Sequence, residues 1–150
     1  MTASTHDNPA LPAPSGDLIL RTSAMPADTN ANGDIFGGWI LSQMDIAGGI
    51  LAKELCRGRC VTVAIDGMKF LQPVRVGDVV CCYGTVVKVG TTSVSIDLEV
   101  WVKPLLRMTE ERSARYKVTE ACFVYVAIDE SGNKRPLPAE LRAAYPGAGA

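Results

Sequence analysis

Apolar residues recur along this chain in two rhythms, and the switch between them places the elements. From Gly37 to about Leu55, Ile40, Met44, Ala47, Leu51 and Leu55 return every three to four residues, which predicts a helix with one apolar stripe. Leu41, Asp45, Gly48, Gly49 and Ala52 line the adjoining face, which is small enough to accept close contact. On either side the rhythm is that of strands. Leu18, Ile19 and Leu20, within Asp17 to Met25, predict a short first strand stopped by Pro26. From Val61 to Leu71 the apolar positions run Val61, Val63, Ile65 and then change parity to Met68 and Phe70 across Asp66-Gly67, as a bulged strand would. Val79 to Val89 is almost continuously apolar, which suits a strand covered on both faces, and Gly90-Thr91 predicts a hairpin out of it.

The next strand alternates cleanly: Val94, Ile96, Leu98, Val100 and Val102 against Ser95, Asp97, Glu99, Trp101 and Lys103. Trp101 on the polar side hints at an interface. The final strand is expected to put Tyr116, Val118, Cys122, Val124, Val126 and Ile128 on one face, with Glu120 the exception. One strand, one long helix and a run of antiparallel strands make an α+β domain, a curved antiparallel sheet wrapped around one long central helix. The expected organisation is a disordered lead-in at 1–16, one domain at 17–136, and a tail at 137–150 with little more than a short helical turn. Open sheet edges and a second apolar helix face favour a homo-oligomer.

At 150 residues the chain is long enough for one core. Hydrophobic residues at 47%, with 15 basic and 16 acidic side chains, leave no electrostatic footprint for nucleic acid. The apolar run from Ile35 to Ala52 approaches spanning length, but Gln43, Asp45 and its glycines argue for burial in protein, so no membrane partner is expected. Met1 to Gly16 lacks a basic segment and an apolar segment and does not read as a secretion signal, so a cytoplasmic location is expected. There Cys56, Cys60, Cys81, Cys82 and Cys122 would stay reduced; Cys81 and Cys82 would point to opposite faces of a strand with no histidine nearby, so no metal is expected. The lone histidine, His6, lies in the lead-in, which disfavours Ser-His and Cys-His hydrolases.

Asp45 is the main candidate for chemistry. A carboxylate among Ile, Met, Ala and Gly in a helix interior is costly to desolvate, and it is either a hydrogen-bonded structural group or a catalytic one. Before it, Asp28-Thr29-Asn30-Ala31-Asn32-Gly33 is rich in residues that hydrogen-bond their own backbone, so an ordered turn should precede the helix, with Asn32 and Gly33 serving the turn and Asp34 capping the helix start. Glu120 is expected to be a paired or strand-end carboxylate rather than a second acid.

The segment from Arg21 through Asn30-Ala31-Asn32-Gly33-Asp34-Ile35-Phe36-Gly37-Gly38-Trp39-Ile40 to Gln43-Met44-Asp45, with Val79 to Gly84 and Arg115 to Ala121, closely resembles the YciA-type acyl-CoA thioesterases, which have the hotdog fold. The likeness runs over about residues 17–136. It implies hydrolysis of acyl-CoA to free acid and CoA without metal or organic cofactor. It also implies Asp45 as the catalytic carboxylate, Asn30 as the polar residue facing it, and Gly37 as the N–H donor to the thioester oxygen. Unpaired N–H groups at a helix start, near Gly37 and Gly38, suit the charge that develops on that oxygen. Asp45 can serve as general base or as nucleophile, and the sequence leaves both routes open.

Gly37 and Asp45 lie on one helix about 12 Å apart, too far to serve one carbon, which predicts that a site is completed by a second chain. The resemblance points to a composite site too, commonly in a trimer of dimers, hence a homohexamer. For the CoA portion the candidates are Lys88 and the Gly90-Thr91-Thr92-Ser93 hairpin toward the phosphates, with backbone at Thr62 and Val63 toward the pantetheine arm. The alternative is a hotdog module that binds acyl-CoA without turning it over.

Overall fold

The computed structural model describes residues 12–107 and 114–146. Its strands are β1 (Asp17–Ser23), β2 (Cys60–Phe70), β3 (Val79–Val89), β4 (Ser93–Lys103) and β5 (Tyr116–Ala127), and its helices are α1 (Gly37–Cys56) and α2 (Ala139–Ala144). The strands form one antiparallel sheet in the order β1-β3-β4-β5-β2. α1 therefore carries the chain from one edge of the sheet to the other, lying across the face that becomes the core. Ile40, Met44, Ala47, Gly48, Ala52 and Cys56 are its buried residues, so the buried surface takes in part of the face expected to adjoin the stripe, while Leu51 and Leu55 are only half-buried. Gly48 decides how closely helix and sheet approach: a Cβ there would sit 2.2 Å from the Tyr125 hydroxyl and 2.9 Å from a Leu98 methyl.

The alternation expected of β4 holds: Val94, Ile96, Leu98, Val100 and Val102 are all buried. Trp101 departs from expectation. It is 3% exposed within this chain, its indole N–H donates to Glu99 Oε1 at 2.8 Å, and the Arg115 guanidinium lies 5.9 Å from its ring centre, so its own neighbours cover it.

The face assigned to β5 is also corrected. Val100 pairs with Thr119 and Trp101 with Lys117, leaving Val118 as an extra residue. Beyond that bulge the parity reverses: Ala121, Phe123, Tyr125 and Ala127 are buried in the core, and Cys122 and Val124 are only half-buried. Glu120 is exposed and pairs with Lys117. In β2 the register shifts across Asp66-Gly67, with Gly67 at φ +74°, as the sequence predicts, and again at Val63.

The chain past residue 136 does not trail away. Leu137 is 2% exposed in the core, and its N–H donates to Thr91 O at 2.8 Å. Arg135 gathers three carbonyls, those of Ile128 (3.0 Å), Cys56 (3.0 Å) and Arg59 (3.5 Å), tying the end of α1 to the start of β2. The part of the lead-in at 1–11 lies outside the described residues, while Ser15 N–H reaches Glu99 Oε1 at 3.3 Å. Among the described residues no helix is long and apolar enough to cross a membrane, and no group of His, Cys, Asp or Glu could hold a metal ion.

Candidate active site

Asp45 lies midway along α1, half-buried. Thr62 and Tyr125 face each other in the β2–β5 register, and both hydroxyls therefore rise from the sheet to the same turn of the helix. Thr62 Oγ1 donates to Asp45 Oδ1 at 2.6 Å; the Tyr125 hydroxyl shares its one proton between the same oxygen at 3.1 Å and the Asp45 main-chain oxygen at 3.2 Å. No described residue donates to Oδ2, and none forms an ion pair with this carboxylate. Burial, the Asp45 charge and the hydrogen bond to it push the Tyr125 phenol well above its ordinary range, so the phenol stays protonated and donates. Asp45 opens on a groove of about 310 Å³ whose walls also include Ile46, Gly49, Ile50 and Lys53 of α1 and Cys60 of β2. The Cys60 thiol is pushed up, chiefly by burial, and is therefore no thiolate nucleophile.

The start of α1 is built differently. Asn30 Oδ1 accepts from Asn32 N–H at 2.9 Å and Asp34 N–H at 3.2 Å, and Gly33 turns the chain at φ +81°. Asp34 does not cap the helix: Phe36 is the N-cap residue and no side chain bonds the first turn. Trp39 and Ile40 N–H both go to Phe36 O, while those of Gly37 and Gly38 find no partner among the described residues. A second groove of about 260 Å³ lies here, with Gly37, Ile40, Phe70, Leu71 and Val74 in its walls. It shares no residue with the Asp45 groove.

One chain therefore brings Thr62 to Asp45 and Asn30 to the Gly37 turn, but does not bring the two halves together. Thr62 turns its hydroxyl to Asp45, a contact absent from the sequence reading, which names only its backbone. Val63 stands 53% exposed on the sheet edge, and Gly38 is exposed beside Gly37. Lys88, Gly90, Thr91, Thr92 and Ser93 line neither groove; Gly90 N–H closes the hairpin onto Ser93 O at 2.7 Å. The sequence reading missed Tyr125, Cys60 and Lys53. Tyr125 was legible only with the Val118 bulge, because without it residue 125 falls on the wrong face.

Residues 32–108, from the turn before α1 to just past β4, match the family model described as Thioesterase superfamily. The chain belongs to that superfamily. Within it, the chain is 65% identical over 127 residues to the acyl-CoA thioester hydrolase YciA of Escherichia coli (strain K12), an alignment that covers 85% of this chain and 95% of that protein. Among solved structures it is similar to the hexameric thioesterase y2039 from Yersinia pestis (59% identity, TM-score 0.77, 85% of this chain and 99% of that one). It is also similar to Cj0915, a hexameric hotdog fold thioesterase of Campylobacter jejuni (43% identity, TM-score 0.79, 87% of this chain and 96% of that one). The five-stranded antiparallel sheet with one main helix is the hotdog fold.

Proposed function

We propose that this protein hydrolyses acyl-CoA thioesters to carboxylic acid and free CoA, in a site that two copies build together. Asp45, held by Thr62, comes from one copy, and the Asn30–Gly37 turn comes from the other. The observation that carries the reading is the separation of the two grooves: a carboxylate with one oxygen free lines one, Gly37, whose N–H has no partner among the described residues, lines the other, and about 12 Å of helix divides them. A second copy has an obvious place to dock. β2 is a sheet edge, and Val61, Val63 and Ile65 stand 41%, 53% and 39% exposed along it, with Ile46 and Ile50 exposed on α1 nearby. The hexameric state of the similar thioesterases supports assembly, a trimer of dimers being the arrangement that repeats such a pair.

In the general-base route, Asp45 takes a proton from water, the hydroxide adds to the thioester carbon, and Gly37 N–H stabilises the oxyanion. The C–S bond then breaks, and CoA sulfur leaves with the proton that Asp45 returns. In the nucleophilic route, Oδ2 itself adds to that carbon and expels CoA, and water opens the resulting anhydride. Side chains and backbone of the chain supply every catalytic group in both routes, and acyl-CoA carries its own CoA.

Thiol release from a panel of acyl-CoAs tests the reading. Asp45→Asn should lower kcat by about two to four orders of magnitude. Gly37→Pro, which removes the N–H at a helix position where proline is tolerated, should also inactivate. Dissociating and reassembling the two variants together should restore roughly a quarter of native activity, because half of the pairs combine the two variants and each of those holds one intact site of two. Full activity in Asp45→Asn, or no recovery on mixing, would sink the shared site, and binding without turnover by the native protein would support a non-catalytic acyl-CoA module.

A further inference from the structure

Tyr125 enters the site from β5, beneath α1, and only 2% of its surface is exposed. Its hydroxyl reaches Asp45 twice, at Oδ1 and at the main-chain oxygen. The approach depends on residue 48 having no side chain, since a Cβ there would stand 2.2 Å from that hydroxyl. A helical carbonyl already accepts from the N–H four residues ahead, so the second bond to it pins the phenol to the helix backbone, which is a fixed reference for the side chain beside it. Thr62 donates to the same Oδ1. Two donors on one oxygen divide the carboxylate into a held atom and a free one, Oδ2, on a residue that lines the groove.

We infer that Tyr125 is a positioning residue for the reaction: it fixes the rotamer of Asp45, so that Oδ2 alone takes the proton or attacks. The inference rests on the catalytic role proposed for Asp45. The groups around that carboxylate are Thr62 and Cys60 from β2, Tyr125 from β5 and Lys53 from α1. Burial raises the Cys60 thiol, which keeps it neutral.

Tyr125→Phe keeps the ring and removes the O–H. The carboxylate then loses one of the two donors on its held oxygen, and activity should fall through kcat rather than through KM. kcat should fall about tenfold with KM nearly unmoved, and the melting temperature should drop by roughly 3–12 °C, the share of stability that a bond to a carboxylate carries. Replacing Tyr125 by 3-fluorotyrosine, which keeps the ring and the hydroxyl donor, should hold kcat near its native value. A native kcat in Tyr125→Phe overturns the inference, as does a loss of activity expressed only in KM or in melting temperature, or a kcat in the 3-fluorotyrosine protein as low as in Tyr125→Phe. Asp45-dependent cleavage with a native kcat in Tyr125→Phe removes this inference alone. A native protein that does not cleave, or an Asp45→Asn variant that cleaves as well, removes the proposed reaction and the role of Tyr125 with it.

Discussion

Gly48→Ala adds a single methyl group to α1, and the structure says that it lands where there is no room. The new carbon would lie 2.2 Å from the Tyr125 hydroxyl, 2.9 Å from its Cζ and 2.9 Å from a Leu98 methyl. An ordinary non-bonded separation is about 3.5 Å, so the phenol must retreat by more than about 1 Å. Its bonds to Asp45, now 3.1 and 3.2 Å, then stretch past hydrogen-bonding reach. Losing a bond to a carboxylate costs about 1.5–3 kcal/mol, and overpacking a full core costs about 1–3 kcal/mol. The better helix propensity of alanine offsets about 1 kcal/mol. Net destabilisation should be about 1.5–5 kcal/mol, which for a chain of this length lowers the melting temperature by about 3–20 °C. Thermal melts at matched protein concentration measure it, the matching being needed because assembly makes stability depend on concentration. In a Tyr125→Phe background the hydrogen-bond part is already gone, so the same Gly48→Ala change should cost about 1.5–3 kcal/mol less. A higher melting temperature for Gly48→Ala, or an equal cost in both backgrounds, would refute the account of the notch.

Val63→Asp places charge on the exposed edge of β2 without touching the core, and it should shift light-scattering mass toward the monomer while thiol release falls in parallel. A monomer that still turns over would contradict the shared site. Alkaline pH should weaken the fold through buried thiols: burial pushes Cys56 up to about 11 and Cys82 up to about 12 from an ordinary 9.0. Both fold as neutral thiols, so their contribution is whole below about pH 9 and is lost as pH climbs toward 11 and 12, where the unfolded chain gains by ionising first. Urea midpoints should decline over that range, less steeply in Cys82→Ala; an equally steep decline would locate the effect elsewhere.

The elements were legible because their periodicities are strong. α1 runs Gly37–Cys56 against an expected end near Leu55, β3 runs Val79–Val89 as read, and the Gly67 bulge in β2 follows from a parity change visible in the apolar positions. The Val118 bulge was not legible. Val118 and Thr119 are both buried, and Glu120, the polar residue on the face read as apolar, reads as an exception rather than as the mark of the slip, so Cys122 and Val124 fall on the wrong face. Trp101 misled for a related reason: alternation tells which side of a sheet a residue is on, not whether that side is covered by Arg115 and Glu99. At the site, Asp45 stood out because charge in an apolar helix is rare. Its donors did not, because Thr62 and Tyr125 meet only through cross-strand pairing at long sequence separation.

The clasp made by Arg135 bears on all of this. Asp45 and Thr62 lie on opposite sides of the link between α1 and β2, and the guanidinium holds Cys56 O on one side of that link and Arg59 O on the other. Registry between helix and strand is thereby locked from a residue late in the chain, and the 2.6 Å contact between hydroxyl and carboxylate inherits its tolerance from that distant lock. Wear at the far end of the molecule would be felt first as slack at its reacting oxygen.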